Sequence, residues 1–198
     1  MPEIESRIMF ELSTTRLVLR DFIVDDWPAI YAMSQASNVV RYQSWLRLTD
    51  QAHARDWIGQ AIHHNQLQPR QAYNLAVVQA TSGNVLGWLG WGRTSDRSRG
   101  DYNFGYALLP KVWNQGYMTE ALQAGLKHMF EDLSAGYVTG ECAKSNRGSA
   151  RVMEKAGMVL VNEWEEPDVA SGLTEINCRY GLQMQQWKVA QQDQTRTK

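Results

Sequence analysis

Residues 105–122, GYALLPKVWNQGYMTEAL, give the clearest structural signal in the chain. This stretch opens with an apolar run that Pro110 stops, as at the end of a strand. Apolar residues then recur at helical spacing over 121–133, which predicts a helix along one face of the domain. Gly116 lies where this helix should begin, although glycine costs a helix roughly 0.5–1 kcal/mol relative to alanine. The stretch therefore predicts strand, loop and helix, with an unusual backbone in the loop.

The start of this helix is a candidate anion site. Unpaired backbone N–H groups and the positive end of the helix dipole meet there, and Gly116 would let a phosphate approach without meeting a Cβ. A tight turn explains the glycine equally well. The loop is neither GxxxxGK[ST] nor a GxGxxG that follows a strand. The basic segment 144–155 is either a solvated helix face or a second contact to a phosphorylated ligand.

The segments around this stretch alternate between the two periodicities. Period-2 or short apolar runs predict strands at 16–20, 73–78, 85–91, 102–109, 137–142, 158–164 and 174–182. Helical spacing and capping residues predict helices at 25–33, 49–68, 117–133 and 145–158. The turn TSGN and the short spacing between runs predict an antiparallel meander over 73–109. The order is that of a mixed α+β domain.

Length and charge restrict the class of protein. The chain has 198 residues, of which 43% are hydrophobic, and this predicts a single domain over 1–189. Its net charge of −1 argues against electrostatic binding of nucleic acid. The segment 190–198 lacks apolar anchors and is predicted to be a disordered C-terminal tail. No apolar run approaches the about 20 residues that span a bilayer, so we expect a cytoplasmic protein with no membrane partner.

The cysteines and histidines give no sign of a metal. Cys142 and Cys178 lie in predicted strands, where free thiols are favoured over a disulfide framework. The four histidines form no HExxH, and no CxxC occurs. We expect no structural or catalytic metal.

A second motif, ECAKSNRGSARVMEKAGM at 141–158, follows the first at a characteristic distance. Together the two motifs resemble the GNAT N-acetyltransferase superfamily, in particular the branch that acetylates ribosomal-protein N-termini. TTRLVLRDF at 14–22 and VVRYQSW at 39–45 are similar to that branch too, so the resemblance covers most of 14–182. It implies a GNAT-like fold, with a central mixed, mostly antiparallel sheet splayed at a bulge and flanked by helices, and with acetyl-CoA in the gap.

The resemblance also implies a cofactor site. The backbone of the fourth strand-like run would bond the pantetheine arm, as an added strand would. The loop amides would bind the pyrophosphate, although Trp113 and Met118 depart from the family's loop and only Gly116 matches it strictly. Asn146 matches an asparagine that contacts CoA, and a helix N-cap explains it equally well. The implied cofactor-binding residues are Ala107, Leu108, Asn114, Gln115, Gly116, Tyr117, Met118, Thr119, Asn146 and Ser149.

The catalytic residues implied by the resemblance are Glu141 and Ser149. Glu141 is the expected general base for the amine, and an exposed strand-edge glutamate is the alternative. The tyrosine that many members use as proton donor is Met153 here, so Ser149 or a water molecule would protonate the leaving thiolate. Asp101 and Asn103 could orient the acceptor or be ordinary strand-end polar residues.

The expected reaction is direct attack of a primary amine on acetyl-CoA within a ternary complex. The acceptor is a protein N-terminus or a small-molecule amine, and the helices over 25–66 with Trp27, Trp45 and Trp57 are expected to line its site or simply to fill the core. A non-catalytic acyl-CoA binding or sensing module is the alternative, because Met153 cannot donate a proton. We expect a monomer or a homodimer.

Overall fold

A computed structural model of the protein describes residues 10–96, 100–167 and 174–196, with side chains in the last helix as far as residue 192. The strands are β1 (Glu11–Ser13), β2 (Leu17–Asp21), β3 (Ala72–Gln79), β4 (Val85–Arg93), β5 (Tyr102–Leu108), β6 (Tyr137–Ala143), β7 (Val159–Pro167) and β8 (Thr174–Gln183). The helices are α1 (Trp27–Ser34), α2 (Ser37–Val40), α3 (Gln51–Gln66), α4 (Tyr117–Glu131), α5 (Arg147–Lys155) and α6 (Met184–Arg196).

The described strands form one sheet in the order β1-β2-β3-β4-β5-β6-β8-β7. The pairs β1–β2, β2–β3, β6–β8 and β7–β8 are antiparallel, whereas β5 and β6 are parallel. Parallel neighbours need a long crossover, and α4 provides it. The prediction of an α+β fold with a mixed, mostly antiparallel sheet is confirmed, and β3, β4 and β5 are neighbours in chain order as the meander requires. Pairing with β6 covers Tyr102–Phe104, while β5 continues to Leu108.

The chain forms two compact units, Met1–Trp91 with Tyr106–Tyr117, and Gly92–Gly105 with Met118–Lys198. In the first unit, Asp50 caps the N-terminus of α3, and its carboxylate accepts the His53 N–H at 2.9 Å. The helix buries Ala54, Ile58 and Ala61, which recur at helical spacing, in a core shared with α1 and β3. Capping and apolar spacing therefore place α3 as the sequence predicts.

A buried ion pair ties β2 to the segment between α3 and β3. Asp21 is only 6% exposed, and its carboxylate accepts bonds from Arg70 Nη2 at 2.6 Å, Arg70 Nη1 at 3.2 Å and Asn65 Nδ2 at 2.9 Å. Asn65 also bonds the backbone of Asn74 in β3. Several donors thus compensate the desolvation of one carboxylate.

In the second unit, α4 buries one apolar stripe, as its periodicity predicts. Phe130 near its end stacks on Trp187 of α6, with ring centroids 5.4 Å apart. The helix α5 ends at Gly157, whose φ of 90° is the left-handed conformation expected of a glycine just past a helix. The amides of Gly157 and Met158 bond back to the last turn at 3.0 Å, so the predicted C-terminal stop is confirmed.

The C-terminus differs from the expected disordered tail. The helix α6 continues through the segment from residue 190 as far as Arg196, and residues 197 and 198 lie outside the described residues. Trp187, 7% exposed, anchors the helix, and the alanine and glutamines that follow favour its continuation. The single domain over 1–189 stays a prediction. No described helix is long and apolar enough to cross a bilayer, and no three described His, Cys, Asp or Glu residues are grouped to hold a metal ion.

Candidate active site

The loop between β5 and α4 has an exceptional backbone. Asn114 and Gly116 have positive φ angles of 60° and 79°. Glycine adopts this conformation without strain, and asparagine tolerates it better than most residues. An added Cβ at position 116 would meet Arg16 Nη2 at 3.5 Å, which is an ordinary contact. The backbone conformation, and not a lack of space, therefore requires glycine at position 116. The tight turn that was one explanation of this glycine is present.

Arg16, just before β2, holds this loop. Its Nη1 donates to the carbonyl of Gln115 at 3.0 Å, and its guanidinium lies 4.5 Å from the ring centroid of Tyr117. The Tyr117 hydroxyl also accepts a bond from Gln79 of β3 at 3.3 Å. Sequence reasoning did not single out Arg16, because 99 residues separate it from Gln115 and no local pattern joins them. A permanent cation thus lies beside the exposed loop that was predicted to bind an anion.

The backbone at the end of β5 is partly occupied within the first unit. An added Cβ on Gly87 of β4 would collide with the carbonyl oxygen of Ala107. The Ala107 carbonyl therefore faces β4. The carbonyl of Leu108 accepts a bond from Trp113 Nε1 at 2.8 Å. The Leu108 N–H belongs to the same trans peptide as the Ala107 carbonyl and points the opposite way. Of the predicted backbone contacts to pantetheine, this N–H is the donor that faces away from β4.

The other predicted loop residues differ in what they can offer. Asn114 and Gln115 are exposed, and Tyr117 and Thr119 are partly exposed. Met118 is only 4% exposed, so its side chain belongs to the core and only its backbone N–H is suited to bind a ligand. Main-chain binding does not depend on the small side chain that the family has at this position.

A row of side chains crosses the second unit on one face of the sheet, and we call it the polar row: Asn103, Thr139, Glu141 and Arg179. Asn103 of β5 pairs with Thr139 of β6 and donates to its hydroxyl at 3.2 Å. Two residues on, Glu141 faces the same way and lies opposite Arg179 of β8. Arg179 Nε donates to Glu141 Oε1 at 2.8 Å, and its guanidinium lies 5.3 Å from the Trp164 ring of β7. Glu141, the predicted base, is therefore oriented by a cation.

Asp101 has a structural role at the entrance to β6. Its Oδ2 accepts the backbone N–H groups of Gly136 at 2.6 Å and Tyr137 at 3.1 Å. These bonds supply an acceptor to two amides at the start of a strand. The interpretation as an ordinary strand-end residue is therefore favoured for Asp101, whereas Asn103 belongs to the polar row.

The second motif forms α5, with Asn146 as its N-cap. Asn146 Oδ1 accepts the Ser149 N–H at 3.2 Å, which confirms the capping role; a contact with CoA stays a prediction. The Ser149 side chain hydrogen-bonds the thiol of Cys142, the residue after Glu141. Neighbouring residues of a strand point to opposite faces, so Ser149 and Glu141 lie on opposite faces of β6. The structure does not bring the two predicted catalytic side chains together.

The face of β6 that α5 covers holds weakly acidic groups. Burial raises the pKa of the Cys142 thiol to about 11 and also raises that of Cys178, directly opposite on β8. Both cysteines are free thiols, as predicted. Burial, followed by the bond from its hydroxyl to Glu154 at 3.1 Å, raises the pKa of Tyr180 to about 12. These groups stay protonated at neutral pH, and the bond between Tyr180 and Glu154 links β8 to α5.

The tryptophans predicted to line the acceptor site form part of a cluster in the first unit. Trp45 stacks on Trp57 with centroids 5.9 Å apart and meets Trp88 of β4 edge-on at 5.0 Å. Trp27 lies under the guanidinium of Arg55 at 3.8 Å. Trp45 is 45% exposed, whereas Trp27, Trp57 and Trp88 pack against the core. Of these four tryptophans, only Trp45 presents a large exposed ring.

Comparison with known proteins identifies the family of this chain. The family described as acetyltransferase (GNAT) domain matches residues 16–159. The uncharacterized N-acetyltransferase YnaD of Bacillus subtilis (strain 168) is 27% identical over 147 residues, which cover 74% of this chain and 81% of that protein.

Solved structures show the same fold. A GNAT-family acetyltransferase from Bacillus anthracis superposes with a TM-score of 0.75 at 23% identity, covering 89% of this chain and 99% of that one. The ribosomal L7/L12 alpha-N-protein acetyltransferase RimL, solved in complex with coenzyme A, has a TM-score of 0.76 at 18% identity, covering 88% and 98%. The resemblance seen in the two sequence motifs is confirmed: this chain belongs to the GNAT acetyltransferase family and is an acetyl-CoA-dependent N-acetyltransferase.

Proposed function

We propose that the protein transfers the acetyl group of acetyl-CoA to a primary amine by direct attack within a ternary complex. The observation that carries this proposal is the polar row, where Arg179 orients the partly exposed carboxylate of Glu141 at 2.8 Å. An amine must lose a proton to attack a thioester, and a carboxylate held in one orientation is suited to accept it, directly or through water. Glu141 is thus the general base of the proposed reaction.

A covalent acetyl-enzyme is disfavoured by the chemistry of the thiols. A cysteine nucleophile reacts as the thiolate, and burial raises the pKa values of both Cys142 and Cys178. The proton for the leaving CoA thiolate would come from Ser149 or from water. Met153 is 1% exposed and its thioether has no proton to give, so it fills the core in place of the family's tyrosine.

The residues of the first unit fit the phosphorylated co-substrate. The loop at 114–117 is exposed and contains two left-handed residues, and Arg16 lies against it. Guanidinium groups and backbone amides are the common ligands of phosphate in proteins. We assign the pyrophosphate to this loop, with Met118 and Thr119 extending it through their backbone amides. Asn146 and Ser149 at the start of α5 are the proposed contacts of the second motif.

The acceptor that we propose is a protein N-terminus, with a small-molecule amine as the second class. RimL, whose name assigns it a ribosomal protein N-terminus, shares the fold. The two free thiols are typical of a reducing compartment and agree with a cytoplasmic enzyme.

The decisive experiment measures CoA release and product mass with acetyl-CoA and a panel of amines. The panel holds peptides with free N-termini, the same peptides blocked by acetylation, polyamines, amino acids and aminoglycosides. We expect CoA release that depends on a free amine, a product heavier by one acetyl group, and intersecting initial-rate lines. Parallel lines with an acetylated enzyme would contradict direct attack. Tight CoA binding with no turnover on any amine would favour a sensing module instead.

A further inference from the structure

Gln43, in the segment between α2 and α3, joins an exposed tryptophan to the backbone of β5. Trp45 Nε1 donates to Gln43 Oε1 at 2.5 Å, and Gln43 Nε2 donates to the carbonyl of Tyr106 at 3.1 Å. An indole N–H can only donate and a carbonyl can only accept, so the two bonds permit a single orientation of the amide. Gln43 is partly buried and lies 63 residues from Tyr106 in the chain.

The carbonyl that Gln43 holds lies on one particular edge of β5. The N–H of Leu109 donates to the carbonyl of Leu86 at 2.9 Å, and the carbonyl of Ala107 faces Gly87, so both residues are directed towards β4. Backbone groups of a strand alternate in direction. The carbonyls of Tyr106 and Leu108 therefore lie on the edge that faces away from β4.

Side-chain donors occupy both carbonyls on this edge. Gln43 Nε2 binds that of Tyr106, and Trp113 Nε1 binds that of Leu108 at 2.8 Å. With its carbonyls engaged, the edge offers hydrogen-bond donors to a ligand, chiefly the N–H of Leu108. The pantetheine arm and the thioester of acetyl-CoA carry carbonyl oxygens that need such donors, and the developing oxyanion needs one most.

We propose that Gln43 is a positioning residue for acetyl-CoA. By holding the Tyr106 carbonyl, it keeps this edge of β5 in the geometry in which the Leu108 N–H can bind a carbonyl of the acyl-pantetheine arm. Trp45 assists by fixing the amide of Gln43. This inference rests on the proposed function, because it assumes that the pantetheine arm lies along β5.

The sharpest variant is Gln43→Glu, which keeps the size of the side chain and replaces the Nε2 donor by an oxygen. A carboxylate there would repel the Tyr106 carbonyl. The matched control is Gln35→Glu, because Gln35 Nε2 also donates to a backbone carbonyl, that of Leu48 at 3.3 Å, in the same unit and away from β5. Trp45→Phe is the milder variant, since it removes the indole N–H and keeps an aromatic ring.

Calorimetry should compare acetyl-CoA with adenosine 3′,5′-bisphosphate, which is the nucleotide half of the ligand without pantetheine. We expect Gln43→Glu to raise the Kd of acetyl-CoA about tenfold, the effect of roughly one hydrogen bond, with the Kd of the nucleotide within about twofold. Gln35→Glu should change neither Kd. Trp45→Phe should raise the Kd of acetyl-CoA alone, by a smaller factor.

The outcomes separate the two proposals. An unchanged Kd of acetyl-CoA in Gln43→Glu, or an equal loss for both ligands, would overturn the role of Gln43 and leave the proposed function standing. If Gln43→Glu does not fold, Trp45→Phe decides by the same comparison. A wild-type protein that binds no acetyl-CoA would overturn the proposed function itself.

Discussion

Arg179 and Glu141 lie directly opposite each other on β8 and β6, and a hydrogen bond of 2.8 Å joins Arg179 Nε to Glu141 Oε1. The side chains are 17% and 23% exposed, so the pair is neither fully buried nor freely solvated. Solvent-accessible salt bridges contribute little to the free energy of unfolding. The main consequence of this pair is to orient the carboxylate that we propose as the general base.

Removing the proposed base should therefore impair turnover more than binding. We expect Glu141→Gln to lower kcat by about 100-fold or more, with the KM for acetyl-CoA nearly unchanged. The control is Glu163→Gln on β7, which breaks the exposed pair of Glu163 with Lys144 at 3.0 Å and should leave kcat unchanged. A kcat in Glu141→Gln within about twofold of wild type would refute the assignment.

Gly116 should tolerate neither a side chain nor a negative charge. Its φ of 79° makes Gly116→Ala strained by about 1 kcal/mol, and Gly116→Glu should abolish acetyl-CoA binding by clash and charge repulsion. Gly83, in the turn between β3 and β4, has a similar φ of 72° and open space around it. Gly83→Glu should therefore lose similar stability and keep the wild-type Kd. An equal affinity of Gly116→Glu and Gly83→Glu for acetyl-CoA would show that the loop at Gly116 does not bind the ligand.

Arg16 should contribute to the binding of phosphate. We expect Arg16→Met to raise the Kd of CoA about tenfold and to weaken its dependence on salt, because one charge-assisted contact is lost. Arg55→Met is the control, since Arg55 lies over Trp27 at 3.8 Å and is exposed. Calorimetry at two salt concentrations checks the prediction. An identical salt dependence in wild type and Arg16→Met would contradict it.

Asp21 should be a carboxylate on which the stability of the first unit depends strongly. Asp21→Ala leaves Arg70 and Asn65 without their buried acceptor, and we expect the free energy of unfolding to fall by about 3–5 kcal/mol. Glu131→Ala breaks the exposed pair with Lys127 at 3.8 Å and should cost less than about 1 kcal/mol. Urea denaturation measures both. Similar losses in the two variants would contradict the buried pair's role.

Cys142 should react slowly with alkylating reagents. Its pKa of about 11, raised first by burial, lies more than two units above the about 8.5 of an ordinary thiol, so its thiolate fraction at pH 8 is roughly 200-fold lower. Stability from the protonated thiol is present below its unfolded pKa and is lost as pH rises towards 11. Iodoacetamide labelling of Cys178→Ser between pH 7 and 11, with the urea-unfolded protein as reference, tests this. Equal rates in the folded and unfolded protein would refute it.

Local signals predicted most of the secondary structure correctly. The capping residues Asp50 and Asn146 and the stop at Gly157 act within one turn, so a short window of sequence is enough to see them. Asp26 shows where this reasoning fails. An aspartate was expected to cap the helix at 25–33, and Asp26 does lie at the N-cap position of α1. Its carboxylate makes no cap bond there and instead bonds Arg20 at 2.6 and 2.9 Å and the N–H of Ile23. A tertiary ion pair competed successfully with the local cap.

The site was only partly predictable. The left-handed loop around Gly116 and the helix starting at Asn146 could be read from two motifs, because backbone conformation and capping are local properties. Arg16, Gln43 and Arg179 were not foreseen, since their partners lie 99, 63 and 38 residues away. The separation of Ser149 from Glu141 was also missed. It follows because α5 packs on the face of β6 that carries Cys142, whereas Glu141, the preceding residue, points to the opposite face.

Sequence alone was thus enough to predict the order of most strands and helices, the special backbone at Gly116 and the family to which the chain belongs. These properties follow from spacing, capping and motifs within a few turns of chain. The folded chain was needed to show which face of β6 carries Glu141 beside Arg179, and which side chains hold the loop and the edge of β5. Those choices depend on strand register and helix packing, where residues far apart in the chain meet.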